Sequence, residues 1–366
     1  MKKVFLGLSL FFLPISLLAQ GWEAQTGGTD IYLNSIVFTD AERGWTVGGR
    51  FGMGAIFHTT NGGTTWTSQT SGTTNVLRSV FFIDAVTGWA VGGLGAPGAN
   101  VILHTTNGGT TWVVQPSGTD WPLYSVFFTD ASTGWVVGAD GTILHTANGG
   151  NTWVTQASGT QKVLRSIFFS DASTGWTVGY EGAIRHTTNG GNTWMTQSSG
   201  MTDWYRSVFF ADPVTGWVVG DNGTILHTAN GGATWTVQAS GTTELLLSVF
   251  FTDAATGWAV GFDGTIVHTT NGGNTWLTQT SGTTAQWISV FFTDGSTGWV
   301  VGDPGTIILH TTTGGTGILP PFRQHHSHPL VAPTSHRVLF LAGTRQQERL
   351  GTRSRYLSVR ILSPKW

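Results

Sequence analysis

The chain has 366 residues, enough for a large core in one or two domains, yet only 10% are charged, with 53 glycines, 18 tryptophans and no cysteine. That composition excludes disulfide staples, disfavours long solvent-facing helices, which need Lys and Glu, and suits short strands joined by tight turns. The formal charge of −2 hides a division: residues 21–315 hold 18 acidic and 7 basic residues, near −11, whereas residues 317–366 hold eight basic residues and one acid, near +7. Phosphate binding needs positive charge, so a nucleic-acid partner is excluded for the main region.

In chain order, residues 1–19 come first: a positive Lys2-Lys3 pair, the apolar run Val4–Leu18 and Ala19 at a cleavage position. This is the pattern of a secretory signal peptide. The run is shorter than the roughly 20 residues a membrane span needs and contains Pro14. The expectation is an extracytoplasmic protein, periplasmic or secreted. No cysteine is present to carry a lipid at the cleavage site.

From Trp45 onward the dipeptide Gly-Trp sets a register, at Trp45, Trp89, Trp135, Trp176, Trp217, Trp258 and Trp299, with spacings of 44, 46, 41, 41, 41 and 41. A period near 41 with four strand-like runs per copy matches a propeller blade. In one copy, Ser207–Ala211 reads as the innermost strand a, Trp217–Gly220 as b, Thr224–Thr228 as c and Thr234–Gln238 as d. Asp212–Gly216, Asp221–Gly223 and Asn230–Gly232 supply the turns.

Each copy also carries a stretch such as His186-Thr-Thr-Asn-Gly-Gly-Asn-Thr-Trp194. Its tryptophans are Trp66, Trp112, Trp153, Trp194, Trp235 and Trp276; the seventh copy has Ile318 instead. The missing tryptophan is Trp22, because Gly21–Thr29 matches strand d of the other copies. One blade therefore takes strands from both ends of residues 20–315, as a closed ring requires. The expected fold is all-β, a seven-bladed β-propeller of four-stranded blades in which an N-terminal strand completes the last blade.

The stretch Thr187-x-Asn189-x-Gly191-x-Thr193-Trp194 fits the Asp-box, or BNR, pattern. Together with the SVFF, TGW and VG signatures it makes the chain resemble the BNR-repeat propellers named after photosystem II assembly and stability factors. The resemblance implies that the box is a structural hairpin between strands c and d, away from the binding face. The residues agree. His58, His104, His145, His186, His227, His268 and His310 occupy one position in seven blades, so symmetry spreads them around a ring and they cannot converge on one metal. The turn aspartates Asp40, Asp84, Asp130, Asp171, Asp212, Asp253 and Asp294 follow the same logic, and Asp in a turn bonds nearby backbone. No metal and no cofactor is expected.

Function is expected where the copies differ. In a propeller the d–a and b–c loops share one face. The residues just before the repeated serine are Asn34, Arg78, Tyr124, Arg165, Arg206, Leu247 and Ile288. Blades two to five thus carry Arg, Tyr, Arg, Arg in sequence, with Trp121, Trp204 and Trp287 in the same loops. Arg and aromatic residues anchor protein interfaces. Arg50 and Phe51 lie in the b–c insertion of blade one, and Gly92–Asn100 forms that of blade two; long loops on a rigid rim are favoured binding elements. Against this stands the reading in which the Trp and Leu residues plug the central channel.

These observations favour a non-catalytic, monomeric scaffold that binds a protein, with a membrane-protein complex among the candidates. The alternative is a secreted glycan-binding protein or glycoside hydrolase. A sialidase-like reading finds only a faint echo in Arg78, Arg165 and Arg206 with Tyr124 or Tyr205. The Phe/Tyr-Arg-Ile-Pro motif typical of that family is absent, and Glu244 is the one Glu in these loops. A glucanase needs two carboxylates across a cleft, and nothing among Asp120, Asp203, Asp221, Glu244 and Asp263 singles out a pair.

Residues 316–366 leave the repeat. They are basic, hold His325, His326, His328 and His336, and show one short apolar run, Val338–Ala342. Composition reads as a disordered tail; the loss of register at Ile318 makes a frameshifted or decayed end the alternative.

Overall fold

The computed structural model describes residues 21–316 apart from 27–28, 51, 95–97 and 305–306. The expectations for the signal peptide at 1–19, for the tail beyond Thr316 and for Phe51 lie outside the described residues. Seven four-stranded antiparallel sheets follow one another. Blade five is typical: a (Tyr205–Phe210), b (Gly216–Gly220), c (Ile225–Thr228) and d (Thr236–Gln238).

Blade seven takes a (Gln286–Phe292), b (Gly298–Asp303) and c (Ile307–Thr311) from one end of the described chain and d (Glu23–Thr26) from the other. Glu23 pairs with His310 and Thr26 with Ile307. Trp22 is 1% exposed and packs among Trp258, Val260, Phe292 and Leu309. It fills the place of the other box tryptophans: each stands edge-on to the last phenylalanine of its own strand a, at centroid distances of 5.8–6.0 Å, and Trp22 meets Phe292 at 5.9 Å.

That phenylalanine is sandwiched. Its face lies on the Gly-Trp indole of the preceding blade at 3.5–3.7 Å, from Trp45 on Phe82 round to Trp299 on Phe38. Offset stacks and edge contacts each add to the burial of large aromatic area. The glycine before each indole is there for room: a Cβ on Gly216 would sit 2.5 Å from the Phe210 ring.

The polar half of the staple is equally repetitive. Each Gly-Trp indole N–H donates to the carbonyl of the first box glycine in the next blade, at 3.0–3.2 Å. The strand-d glutamine of the preceding blade donates to the same carbonyl, as Gln156 Nε2 does to Gly190 at 2.8 Å. In blade seven the donor is Gln25, which reaches Gly62 at 3.0 Å. A Cβ on the second box glycine, Gly191 (φ +84°), would lie 2.0 Å from Gln156 Oε1.

A ring of serines closes the innermost layer. Ser35, Ser79, Ser125, Ser166, Ser207, Ser248 and Ser289 each accept, through Oγ, the backbone N–H of the next blade's strand a at 3.1–3.3 Å. The ring ends with Ile36 N–H on Ser289. Below the serines, Phe81, Phe127, Phe168, Phe209, Phe250 and Phe291 meet neighbour to neighbour at 5.0–5.2 Å. Blade one has Val37 at this position.

Candidate binding site

Strand a begins earlier than its sequence suggests. In blade five it starts at Tyr205, two residues before Ser207. In all seven blades the register slips between the paired residue two before the serine and the serine itself, as between Tyr205 and Ser207. The residue in between sits on a β-bulge and has no partner in the ladder. A bulge re-aims its side chain. Core residues therefore flank each bulge while the bulged side chains and the serines are half-buried at the axis. Seven bulged residues ring the channel mouth: Asn34, Arg78, Tyr124, Arg165, Arg206, Leu247 and Ile288.

This register corrects one expectation. Trp287 is 0% exposed. It holds the position before the bulge, occupied elsewhere by Leu33, Leu77, Leu123, Leu164, Tyr205 and Leu246, where the side chain points between blades. It packs with Trp22, Trp258 and Val260 and is neither a surface contact nor a channel plug. Tyr205 is buried for the same reason, its hydroxyl 2.5 Å from Ser199 Oγ. Trp121 and Trp204 are exposed, at 39% and 42%.

Two of the arginines, Arg165 and Arg206, lie against aromatic rings. The Arg165 guanidinium lies over Tyr124 at 4.6 Å, and Arg206 lies 5.2 Å from the centre of Tyr180 and 5.4 Å from that of Trp204. Such contacts are worth about 0.5–2 kcal/mol depending on desolvation. Tyr180 and Trp204 stack in parallel at 4.2 Å, and the Tyr180 hydroxyl is 3.3 Å from Arg206 Nη1. Arg206 is the member of the arc with an acidic partner among the described residues, Asp221 at 2.8 Å. Nε of Arg78 and Nε of Arg165 are buried with no hydrogen-bond partner. Burial pushes the Arg165 pKa below the usual arginine range, and Arg78 and Arg206 add to the push, while Tyr180 and Tyr124 oppose it.

Arg50 stands apart. It pairs with Asp30 at 3.2 Å and also donates to the Asp30 carbonyl. The insertions of blades one and two prolong the b–c hairpin, with Arg50 opposite Met53 and Gly93 opposite Asn100. Tyr180 and Asp221, which sequence reasoning did not place in the arc, occupy the variable first position of the b–c turn, where other blades have Ala139 and Phe262. Variation at that turn, read like variation at the serine, is the signal that finds them.

The repeating positions behave differently. Each box histidine lies against the Gly-Trp indole of its own blade at 4.7–5.2 Å, stacked in five blades and tilted by 33° and 37° at His145 and His227. Burial lowers the pKa of all seven, so they are neutral spacers at pH 7. Each turn aspartate caps its own turn. Asp130 accepts the Ser132 hydroxyl at 2.6 Å and the N–H groups of Ser132 and Thr133, and is pulled down to about 2, first by the hydroxyl. Among the described residues no group of three or more His, Asp or Glu could hold a metal ion.

The model of the family described as photosynthesis system II assembly factor YCF48 matches residues 15–122, 114–198 and 234–318. A comparison with curated proteins finds none that matches. Among solved structures, YCF48 bound to a D1 peptide aligns with a TM-score of 0.67 at 20% identity, over 80% of this chain and 97% of that one. YCF48 from Cyanidioschyzon merolae aligns with a TM-score of 0.66 at 20% identity, over 80% and 98%. Virginiamycin B lyase from Staphylococcus aureus reaches 0.68 at 14% identity, over 80% and 99%. At these identities the solved structures establish the propeller fold.

Proposed function

We propose a function from this premise: the chain belongs to the photosynthesis system II assembly factor YCF48 family, and it is a non-catalytic scaffold that holds an acidic segment of a partner protein at its d–a/b–c face. The observation that carries the reading is the arc of Arg78, Arg165 and Arg206, three guanidinium groups with a single acidic partner among the described residues, Asp221. A half-buried, like-charged group of this kind is costly when empty and is relieved by bidentate carboxylates. That YCF48 in a similar structure is bound to a D1 peptide supports a polypeptide ligand. The membrane-protein complex remains the partner class to test first, with the protein acting as a monomer outside the cytoplasm, as the pattern of residues 1–19 suggests.

A non-catalytic role is supported by the fate of the enzyme candidates. The Tyr205 hydroxyl is buried on Ser199, and Asp203 is engaged by the Thr224 hydroxyl at 2.6 Å. Titration of the full chain with acidic and basic peptides of equal length tests the proposal. Replacing Arg78, Arg165 and Arg206 by alanine together should weaken the acidic peptide by about thirtyfold or more, as loss of interface arginines does. Unchanged affinity overturns it. Turnover of a sialoside or β-glucan that is lost on Arg165→Ala overturns the non-catalytic part. N-terminal sequencing of the exported product should begin after Ala19.

A further inference from the structure

We propose that the channel mouth also takes a hexuronate sugar, its pyranose ring stacked on Trp204 and its carboxylate held by Arg165 and Arg206. This goes beyond the protein-binding reading, and it starts from the aromatic groups. Trp204 lies parallel to Tyr180 at 4.2 Å and 10°, so its 42% exposed surface is a fixed platform backed by a second ring. The apolar C–H face of a pyranose covers such a surface, as apolar bodies with polar rims do.

Planar polar groups stand around the platform. The Arg206 guanidinium is nearly equidistant from both ring centres, at 5.2 and 5.4 Å, and is fixed by Asp221 and the Tyr180 hydroxyl. Asp203 and Asp221 supply carboxylates beside it, each using one named oxygen within the protein. Vicinal sugar hydroxyls donate to such carboxylates. A neutral sugar leaves the buried Arg165 Nε without a partner. An alkyl carboxylate leaves the indole bare. A hexuronate answers both groups at once, because its carboxylate leaves the ring at the edge, where Arg206 stands beside the stack and Arg165 is the neighbouring cation.

Calorimetric titration of the full chain with tetragalacturonate and with its methyl ester tests the assignment. The ester keeps the rings and removes the charge. We expect the acid to bind, the ester to bind about tenfold more weakly, and Trp204→Ala to weaken the acid by about tenfold, each step being near 1.4 kcal/mol. Equal binding of acid and ester, no binding of either, or unchanged binding by Trp204→Ala overturns it. Trp204 is a surface residue, so the variant should fold; an unaltered unfolding midpoint checks this. The peptide titration is a separate measurement, so failure here leaves the protein-binding reading standing.

Discussion

The staple between blades and the mouth of the channel use the same strands and obey opposite rules. In the staple every blade repeats one solution. The indole of each Gly-Trp pair donates to the next box, and each serine hydroxyl accepts from the next strand. At the mouth, seven equivalent bulges carry Asn, Arg, Tyr, Arg, Arg, Leu and Ile. There buried nitrogen atoms of Arg78 and Arg165 lack partners, and like charges crowd Arg165. Repetition marks what holds the ring together, and variation marks the face proposed to bind.

The comparison breaks first at the closure. Deleting residues 21–26 removes strand d of blade seven and Trp22, whose burial alone is worth roughly 3–5 kcal/mol. Calorimetry should show a sharply lowered unfolding midpoint; an unchanged one would refute the closed ring. Next comes a single link of the serine ring. Ser125→Ala leaves the Ile167 N–H, now held at 3.3 Å, without its acceptor, which costs about 1–3 kcal/mol. The same change at Ser166, Ser207 or Ser248 should cost a similar amount, and a wide spread among blades would contradict the equivalence of the frame.

A gentler test uses the histidines. Their folded pKa lies below the unfolded value of about 6.5, so the unfolded chain takes up protons first as pH falls. The stability they confer is full above pH 6.5 and is lost as pH drops below it toward their depressed folded values. Six of the imidazoles are half-buried and His268 is buried, so each contributes modestly. Seven act with the same sign, and the midpoint should fall between pH 7 and 5. His145→Gln should flatten that slope, and a pH-independent midpoint would defeat the account. The smallest effect has the opposite sign. Arg165→Met removes a like-charged, desolvated cation and should stabilise the fold by up to ~1 kcal/mol while weakening the acidic peptide. Loss of both stability and binding would mean that Arg165 belongs to the frame.

Much of this was legible before any coordinates. The Gly-Trp register counts the blades, and Trp22 can be matched to the missing box residue because strand d has its own signature in Trp-x-x-Gln-x-x-Gly. The arginine arc was legible too, as departures from a repeat. What the sequence concealed was side-chain direction. Trp287 and Arg206 both lie within two residues of a repeated serine, yet one enters the core and the other the mouth. The bulge just before the serine decides this, and no residue type announces it, since Leu, Tyr and Trp all serve at the buried position. Long-range bonds such as Ile36 to Ser289 were hidden because serine looks alike whether it bonds to its own blade or to the next.

The bulge has a further consequence. A side chain at an unpaired position contributes nothing to the ladder, so the ring can exchange it without altering the strand pairing. Seven such positions around one opening form a keyboard that can be rewritten while the strands beneath it stay in register. A designer could install aspartates at positions 247 and 288 to invert the charge of one side of the opening, or aromatic residues at 34 and 78 to extend the stack. A lineage drifting through single substitutions could do the same, changing what the opening grasps while the closure at Trp22 stays as it is.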